Sequence, residues 1–146
     1  MKSTLPLPAD PNKDVTKMDL WRQKLRLQLI EQAERDKQNK DKFFRAWKDG
    51  IALLDQWGAV LFRGDIEKAT NREDLRPNWN SIDRNFGVLS TGEQIFVGVM
   101  YSFFNPADGQ DLLKRAGHEN FVDGISRLDH EHRSVIARLT TSHHGW

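Results

Sequence analysis

The sequence predicts a mainly α-helical protein, a compact single-domain bundle of about five to six helices around a buried central helix. Three observations lead to this fold class. Apolar residues recur at intervals of three and four along most of the chain, which is the period of an amphipathic helix. One segment, residues 91–104, is apolar on nearly every side, as a buried helix is. The length of 146 residues is typical of one domain and is sufficient to bury a core.

The first residues of the chain are expected to form an extended arm. Residues 1–15 hold three prolines in polar surroundings, and proline fixes φ and removes an amide donor. Residues 16–146 are expected to form the single helical domain. A helix is predicted to begin at Thr16, and its apolar stripe consists of Met18, Trp21, Leu25 and Leu29, widened by Leu20 and Leu27. This stripe can pack on the protein's own core or on a second copy of the chain.

A second stripe follows a charged stretch, and the two stripes predict either one long helix or two nearly collinear helices. The second stripe consists of Phe44, Trp47, Ile51 and Leu54. Gly50 lies within it at a cost in helix propensity, which indicates a close crossing by another element. Trp57 and Gly58 are expected to end the helix, and residues 59–62 then fit a short strand or a continued buried helix.

Residues 63–89 form a predicted long irregular connection. They have no clean period, and short helical turns are expected near residues 71–75 and 81–86. The isolated apolar anchors of this connection are Ile66, Leu75, Trp79, Ile82 and Phe86. The central helix then begins with a capping box, in which the Ser90 hydroxyl accepts from the amide of Glu93 and the Glu93 carboxylate reaches back.

The remaining residues predict a short helix and then one or two final helices. Asn105 as N-cap and Pro106 at the first helical position begin the short helix, and Gly117 ends it. Ser126 or Asp129 can cap a second piece in the last segment, so one long helix and two shorter ones are both open. The last apolar stripe consists of Phe121, Ile125, Leu128, His132, Val135 and Leu139.

Composition excludes several classes of protein. The sequence holds no cysteine, which rules out disulfides, thiolate zinc sites and a cysteine nucleophile. Residues 1–8 lack the apolar run of a signal peptide. The longest apolar stretch, residues 95–101, is far shorter than the roughly 20 residues of a membrane helix. We therefore expect a soluble cytoplasmic protein that does not enter a membrane.

The sequence shows no catalytic or cofactor motif. No serine has a nucleophile-elbow context, and no glycine-rich phosphate loop is present. Histidine near carboxylates can bind metal or transfer protons, but no two histidines here have the spacing of three or four that a shared helix face requires. We expect no enzyme activity, no cofactor and no metal site. An uncharacterised enzyme or metal-binding protein is a second alternative, and its candidates are His118, His130, His132, His143 and His144.

The charge distribution indicates a first alternative function, nucleic-acid binding by an accessory protein. Residues 1–48 carry 12 Lys/Arg and 7 Asp/Glu, a net charge of +5, whereas the remainder carries −4. Basic side chains bind phosphates by charge, and tryptophan adds stacking on single strands. Interspersed acidic residues and an overall charge of only +1 weaken this interpretation. The candidate residues are Lys17, Arg22, Lys24 and Arg26.

The favoured prediction is a small non-enzymatic protein that acts by stoichiometric binding, as a regulator, an inhibitor or an accessory subunit. A bacterial mobile element is an origin that fits this description. The expected partner is another protein, with nucleic acid second, and the oligomeric state is open. Tryptophan is enriched at the energetic centres of interfaces, and five are present. The candidates for protein binding are Trp21, Trp79 and Trp146.

Overall fold

The fold is that of a computed structural model, which describes residues 11–146, with side chains from Thr16 onward. Residues 1–10, and with them most of the predicted extended arm, lie outside the described residues. The chain divides into two units, Met1–Gln38 and Asn39–Trp146, of which the second contains the hydrophobic core. The sequence predicts a single domain over residues 16–146 and gives no indication of this division.

The described residues form seven α-helices and two short 3-10 helices and contain no strand, which confirms the mainly α fold class. The 3-10 helices, Arg72–Leu75 and Phe86–Val88, both lie within the predicted irregular connection. In chain order the α-helices are α1 (Pro11–Leu53), α2 (Gln56–Leu61), α3 (Trp79–Asn85), α4 (Thr91–Phe104), α5 (Pro106–Arg115), α6 (Phe121–Ser126) and α7 (His130–Ser142).

The first helix, α1, is continuous, so the alternative of one long helix is correct. Among the described residues it is already helical at Pro11, before the predicted start at Thr16. The charged stretch does not interrupt it, since long polar side chains have high helix propensity. Within that stretch Gln32 donates to Asp36 at 2.9 Å and Arg35 donates to Gln32 at 3.0 Å.

The end of α1 differs from the prediction. The helix stops before Asp55, so the end predicted at residues 57–58 is wrong. Asp55 has φ 51° and ψ −126°, a conformation outside the helical region, and it separates α1 from α2. Residues 59–62 are helical as far as α2 extends, and Phe62 is extended and forms an isolated β-bridge with Pro77.

The central helix α4 confirms the buried element predicted over residues 91–104. Its predicted capping box is present: Ser90 Oγ accepts from the Glu93 amide at 3.2 Å, and Glu93 Oε1 accepts from the Ser90 amide at 2.8 Å. α4 packs closely along α5. At one point Gly109 of α5 lies so near Ser102 of α4 that an added Cβ would be 2.6 Å from backbone atoms.

The core of the second unit is formed where the last part of α1 meets the later helices. The predicted close crossing at Gly50 is confirmed, because an added Cβ there would lie 2.9 Å from the Met100 side chain and 3.2 Å from Val135. Trp47 Nε1 donates to the carbonyl of Leu75 at 2.8 Å and so ties the long connection to α1. The largest fully buried side chains are Trp47, Phe43, Phe86, Phe96, Leu54, Leu61, Leu75, Ile82, Ile95, Met100, Leu112 and Leu139.

The last apolar stripe is divided between α6 and α7, so the alternative of two helices is correct. Asp129, one of the two predicted caps, is the N-cap of α7 and accepts from the His132 amide at 3.0 Å. Arg133 Nε donates to the Leu128 carbonyl at 2.9 Å, which satisfies an orphan acceptor after α6. The ring of His132, a half-buried member of this stripe, packs edge-on against the buried Phe96 with ring centroids 4.6 Å apart.

Candidate functional site

The part of α1 that lies in the first unit presents an exposed apolar surface. Every side chain from Thr16 to Gln38 is exposed. The exposed fractions of its large apolar side chains are 50% for Met18, 59% for Leu20, 59% for Trp21, 39% for Leu25, 59% for Leu27, 61% for Leu29 and 54% for Ile30. Single exposed apolar residues are normal on proteins, whereas a contiguous group is typical of an interaction site.

Helix geometry places six of these side chains on one broad surface. Residues three or four apart lie on the same helix face, which groups the predicted stripe from Met18 to Leu29. Leu20 and Leu27 lie on the adjoining face, and Lys24 between the two groups contributes its methylene chain. Together they cover somewhat more than half of the helix circumference, and Leu20 and Leu29, nine residues apart, lie on opposite sides of it. This α1 apolar surface consists of Met18, Leu20, Trp21, Leu25, Leu27 and Leu29.

The four basic candidates lie on two sides of the apolar stripe. Lys17 and Lys24 are seven residues apart and share one helix face, whereas Arg22 and Arg26 are four apart and share another. Lys24 and Arg26, two residues apart, point to nearly opposite sides. Positive charge therefore flanks the apolar stripe. Residues 16–38 do not present the single basic stripe that follows a nucleic-acid backbone.

The three tryptophan candidates lie in different surroundings. Trp21 belongs to the α1 apolar surface and is 59% exposed. Trp79 is half-buried and packs edge-on against Tyr101, with ring centroids 5.4 Å apart. Trp146 is half-buried, with its ring centroid 4.8 Å from that of Trp47. Of the three, Trp21 has the exposure that a partner-binding side chain needs.

Trp146 is held in an aromatic cluster by Arg72. The Arg72 guanidinium lies 5.1 Å from the Trp146 ring centroid and 5.5 Å from that of Phe43. It also donates to the carbonyl of Gly145 at 2.6 Å. A cation over an aromatic face is attracted by the ring quadrupole. These contacts give Trp146 a structural role in the second unit.

Two of the five histidines pair with carboxylates. His118 Nδ1 and Asp123 Oδ2 are 2.9 Å apart, and this hydrogen bond holds the pKa of Asp123 below its ordinary value. His132 Nδ1 lies 2.6 Å from Asp129 Oδ1. The backbone amide and the ring of His132 together lower the pKa of Asp129. Both pairs lie at the starts of helices, where the helix dipole also stabilises the negative charge of a carboxylate.

Of the other three histidines, His130 is exposed at the start of α7, and His143 packs against the rings of Phe43 and Phe103. Burial lowers the pKa of His143, and the charges of Arg72 and His144 lower it further. His144 Nε2 is 2.7 Å from Nδ2 of the Asn39 side chain. Across residues 16–146 no group of three or more His, Asp or Glu side chains is placed to hold a metal ion.

From sequence, the stripe through Leu25 and Leu29 is expected to pack on the protein's own core or on a second copy of the chain, and neither residue is singled out as a candidate for binding another protein. The helical period is the same whether this chain or a partner covers the stripe. The available signal was the width of the apolar region, because Leu20 and Leu27 extend it beyond the narrow stripe that one packing contact requires.

Comparison with known proteins gives no match: no family model, no curated protein and no solved structure matches the chain. Among the helices described, none combines enough length with enough apolar character to cross a membrane. The α1 apolar surface is chosen as the candidate site because of its exposure and its flanking charge, and not because of similarity to another protein.

Proposed function

We propose that the protein acts by stoichiometric binding to another protein, and that the α1 apolar surface enters an apolar groove with an acidic rim on that partner. The observation that carries the proposal is the exposure of six large apolar side chains that together cover more than half of the circumference of a helix. A helix laid into a groove with anchors at helical spacing is a recurring mode of recognition. This mode of binding is open to a regulator, an inhibitor or an accessory subunit.

Burial of this surface supplies the free energy for association. A large apolar side chain that becomes fully buried contributes roughly 1.5–3 kcal/mol. Association has to offset the loss of translational, rotational and side-chain freedom. Six such side chains, with a tryptophan at the centre of the group, provide the cluster of anchors that tight interfaces use.

The charge of the surrounding residues selects the partner. Residues 16–30 carry four basic side chains and one acidic one. A second copy in parallel would bring the basic residues of the two helices together, and like charges oppose association. An acidic rim on the partner instead complements Lys17, Arg22, Lys24 and Arg26 on both sides of the stripe.

The width of the surface favours a groove over a planar membrane. A helix at a membrane surface buries one apolar side and keeps a strongly charged side in water. Here Lys24 divides two apolar faces, with Trp21 on one and Leu20 on the other. The two walls of a groove contact both faces at the same time, whereas a flat interface contacts one of them.

The test is site-specific photo-crosslinking in the native host. We expect a crosslinker at Leu25 to capture one protein that a crosslinker at Asp19, on the polar side of the same helix, does not capture. The captured protein, once purified, is expected to form a one-to-one complex with this chain whose affinity falls as salt rises. Capture of a second copy of this chain, or equal capture from both positions, would contradict the proposal.

A matched pair of variants tests the surface in the purified complex. Leu25→Asp places a charge on the apolar surface, and we expect it to weaken binding by about tenfold or more. Ile30→Asp makes the same exchange of an exposed apolar side chain for a charge, but outside this surface and on the side of Asp19, and is expected to change affinity by less than about threefold. Equal effects from the two variants, or binding of the chain to anionic lipid vesicles that Leu25→Asp abolishes, would count against a protein groove.

A further inference from the structure

The second unit contains an apolar cleft that the proposed function does not use. It lies where the end of α1 meets α2 and the connection that follows, and its volume is about 460 Å³. This volume is within the range of pockets that bind small molecules. Its apolar lining includes Ile51, Ala52, Phe62, Ile66 and Leu75.

The polar groups at the cleft are mainly carboxylates. Asp55 and Asp65 both line it, together with the guanidinium of Arg63, so the lining carries a net negative charge. Asp65 Oδ1 accepts from the amide of Glu67 at 2.9 Å, which fixes that side chain. Asp55 is exposed and makes no capping hydrogen bond to α2, which leaves its carboxylate available to a ligand.

Asp55 occupies this position at a cost in backbone energy. Its φ of 51° with ψ −126° lies in a region that glycine enters freely and other residues avoid. Gly64, which also lines the cleft, has φ 78° and lies against the Asp74 carbonyl. Strain of this kind persists where the surrounding structure enforces it, and it clusters at ligand sites.

We infer that this cleft binds a small molecule with an apolar body and one cationic group, whose charge pairs with Asp55. The apolar walls exclude water from the body of the ligand, and the carboxylate at the mouth fixes its orientation. An ammonium group complements a carboxylate, whereas an anionic ligand of the same shape meets a lining in which the two carboxylates of Asp55 and Asp65 outweigh the single charge of Arg63. The inference is independent of the partner proposed for α1.

The test compares three probes of nearly equal shape: phenylbutylamine, phenylbutanol and phenylbutyrate. Each is titrated into the full chain and followed through the backbone amide signals of Phe62, Gly64 and Ile66. We expect the amine to bind roughly two- to fivefold more tightly than the alcohol, as one exposed ion pair allows. The carboxylate is expected to bind more weakly than the alcohol.

Two variants of one residue separate the charge from the fold. Asp55→Asn keeps the size of the side chain but removes its charge. Asp55→Gly removes the side chain and also relieves the backbone strain. Both variants are expected to abolish the preference for the amine. Asp111→Asn removes an exposed carboxylate outside the cleft and should preserve that preference. The inference is overturned if the carboxylate binds as tightly as the amine. It is also overturned if the Asp55 variants retain the preference, or if the shifted signals lie elsewhere.

Discussion

At the level of single residues, Asp55 contributes unfavourably to stability. A left-handed backbone costs an L-residue about 1–2 kcal/mol, and glycine escapes most of that cost. We therefore expect Asp55→Gly to raise the free energy of unfolding by about 1 kcal/mol, measured by urea denaturation. Asp55→Ala removes the same carboxylate but keeps the strain, so it should not stabilise the protein. Equal stability of the two variants would show that the backbone at Asp55 is not strained.

His143 makes stability depend on pH. Burial and the charges of Arg72 and His144 hold its pKa below the ordinary value of 6.5, and its Nδ1 is buried with no hydrogen-bond partner among the described residues. As pH falls below 6.5, the unfolded chain takes up this proton before the folded chain does. The contribution of neutral His143 is therefore present above pH 6.5 and is lost as pH falls through the lower folded pKa.

His143→Phe keeps the aromatic contacts and removes the titrating group. We expect a smaller difference in melting temperature between pH of about 7.5 and about 5.5 than in the unchanged protein. His130→Gln is the control, because His130 is exposed at the start of α7. If both variants keep the full pH dependence, His143 is not its source.

Some single-residue features follow from sequence, because they depend on neighbours a few positions away. The caps at Ser90, Asn105 and Asp129 are local hydrogen bonds, and all three are present. The conformation of Asp55 has no such local signal. It results from the path that the chain takes between α1 and α2, which tertiary packing decides.

At the level of helices, the contact of α4 with α5 depends on the absence of a side chain at Gly109. An added Cβ would meet Ser102 backbone atoms at 2.6 Å, and backbone cannot move aside cheaply. We expect Gly109→Ala to lower the free energy of unfolding by about 3 kcal/mol. Gly92→Ala, in the first turn of α4 with nothing within 4 Å, should leave stability unchanged or raise it slightly. Similar losses in the two variants would contradict this close packing.

The helices themselves were predictable because their apolar periods are long and their caps are clear. The boundaries of the helices were harder to predict. For example, α1 stops before Asp55, although Trp57 and Gly58 resemble a helix end. The candidate site was predictable in part. Trp21 was identified as a binding residue, but Leu25 and Leu29 have the same period as a core stripe, and periodicity carries no information about which molecule covers them.

At the level of the whole molecule, the two units differ in what their apolar residues contribute. Leu29 is 61% exposed, whereas Trp47 is fully buried and hydrogen-bonded. We expect Leu29→Asp to change the free energy of unfolding by less than about 0.5 kcal/mol. Trp47→Ala should lower it by about 3–5 kcal/mol. A large loss from Leu29→Asp would mean that this residue is covered within the folded protein, which would remove the basis of the proposed function.

The exposure of Trp21 gives the protein an intrinsic optical reporter. Trp47 is sealed from solvent, and Trp57, Trp79 and Trp146 are half-buried, so a collisional quencher such as acrylamide reaches Trp21 most easily. Quenching of the intrinsic fluorescence thus measures whether the α1 apolar surface is free or occupied. A molecule that covers this helix will reduce the quenching of Trp21. Its binding can therefore be detected without a label and before its identity is known.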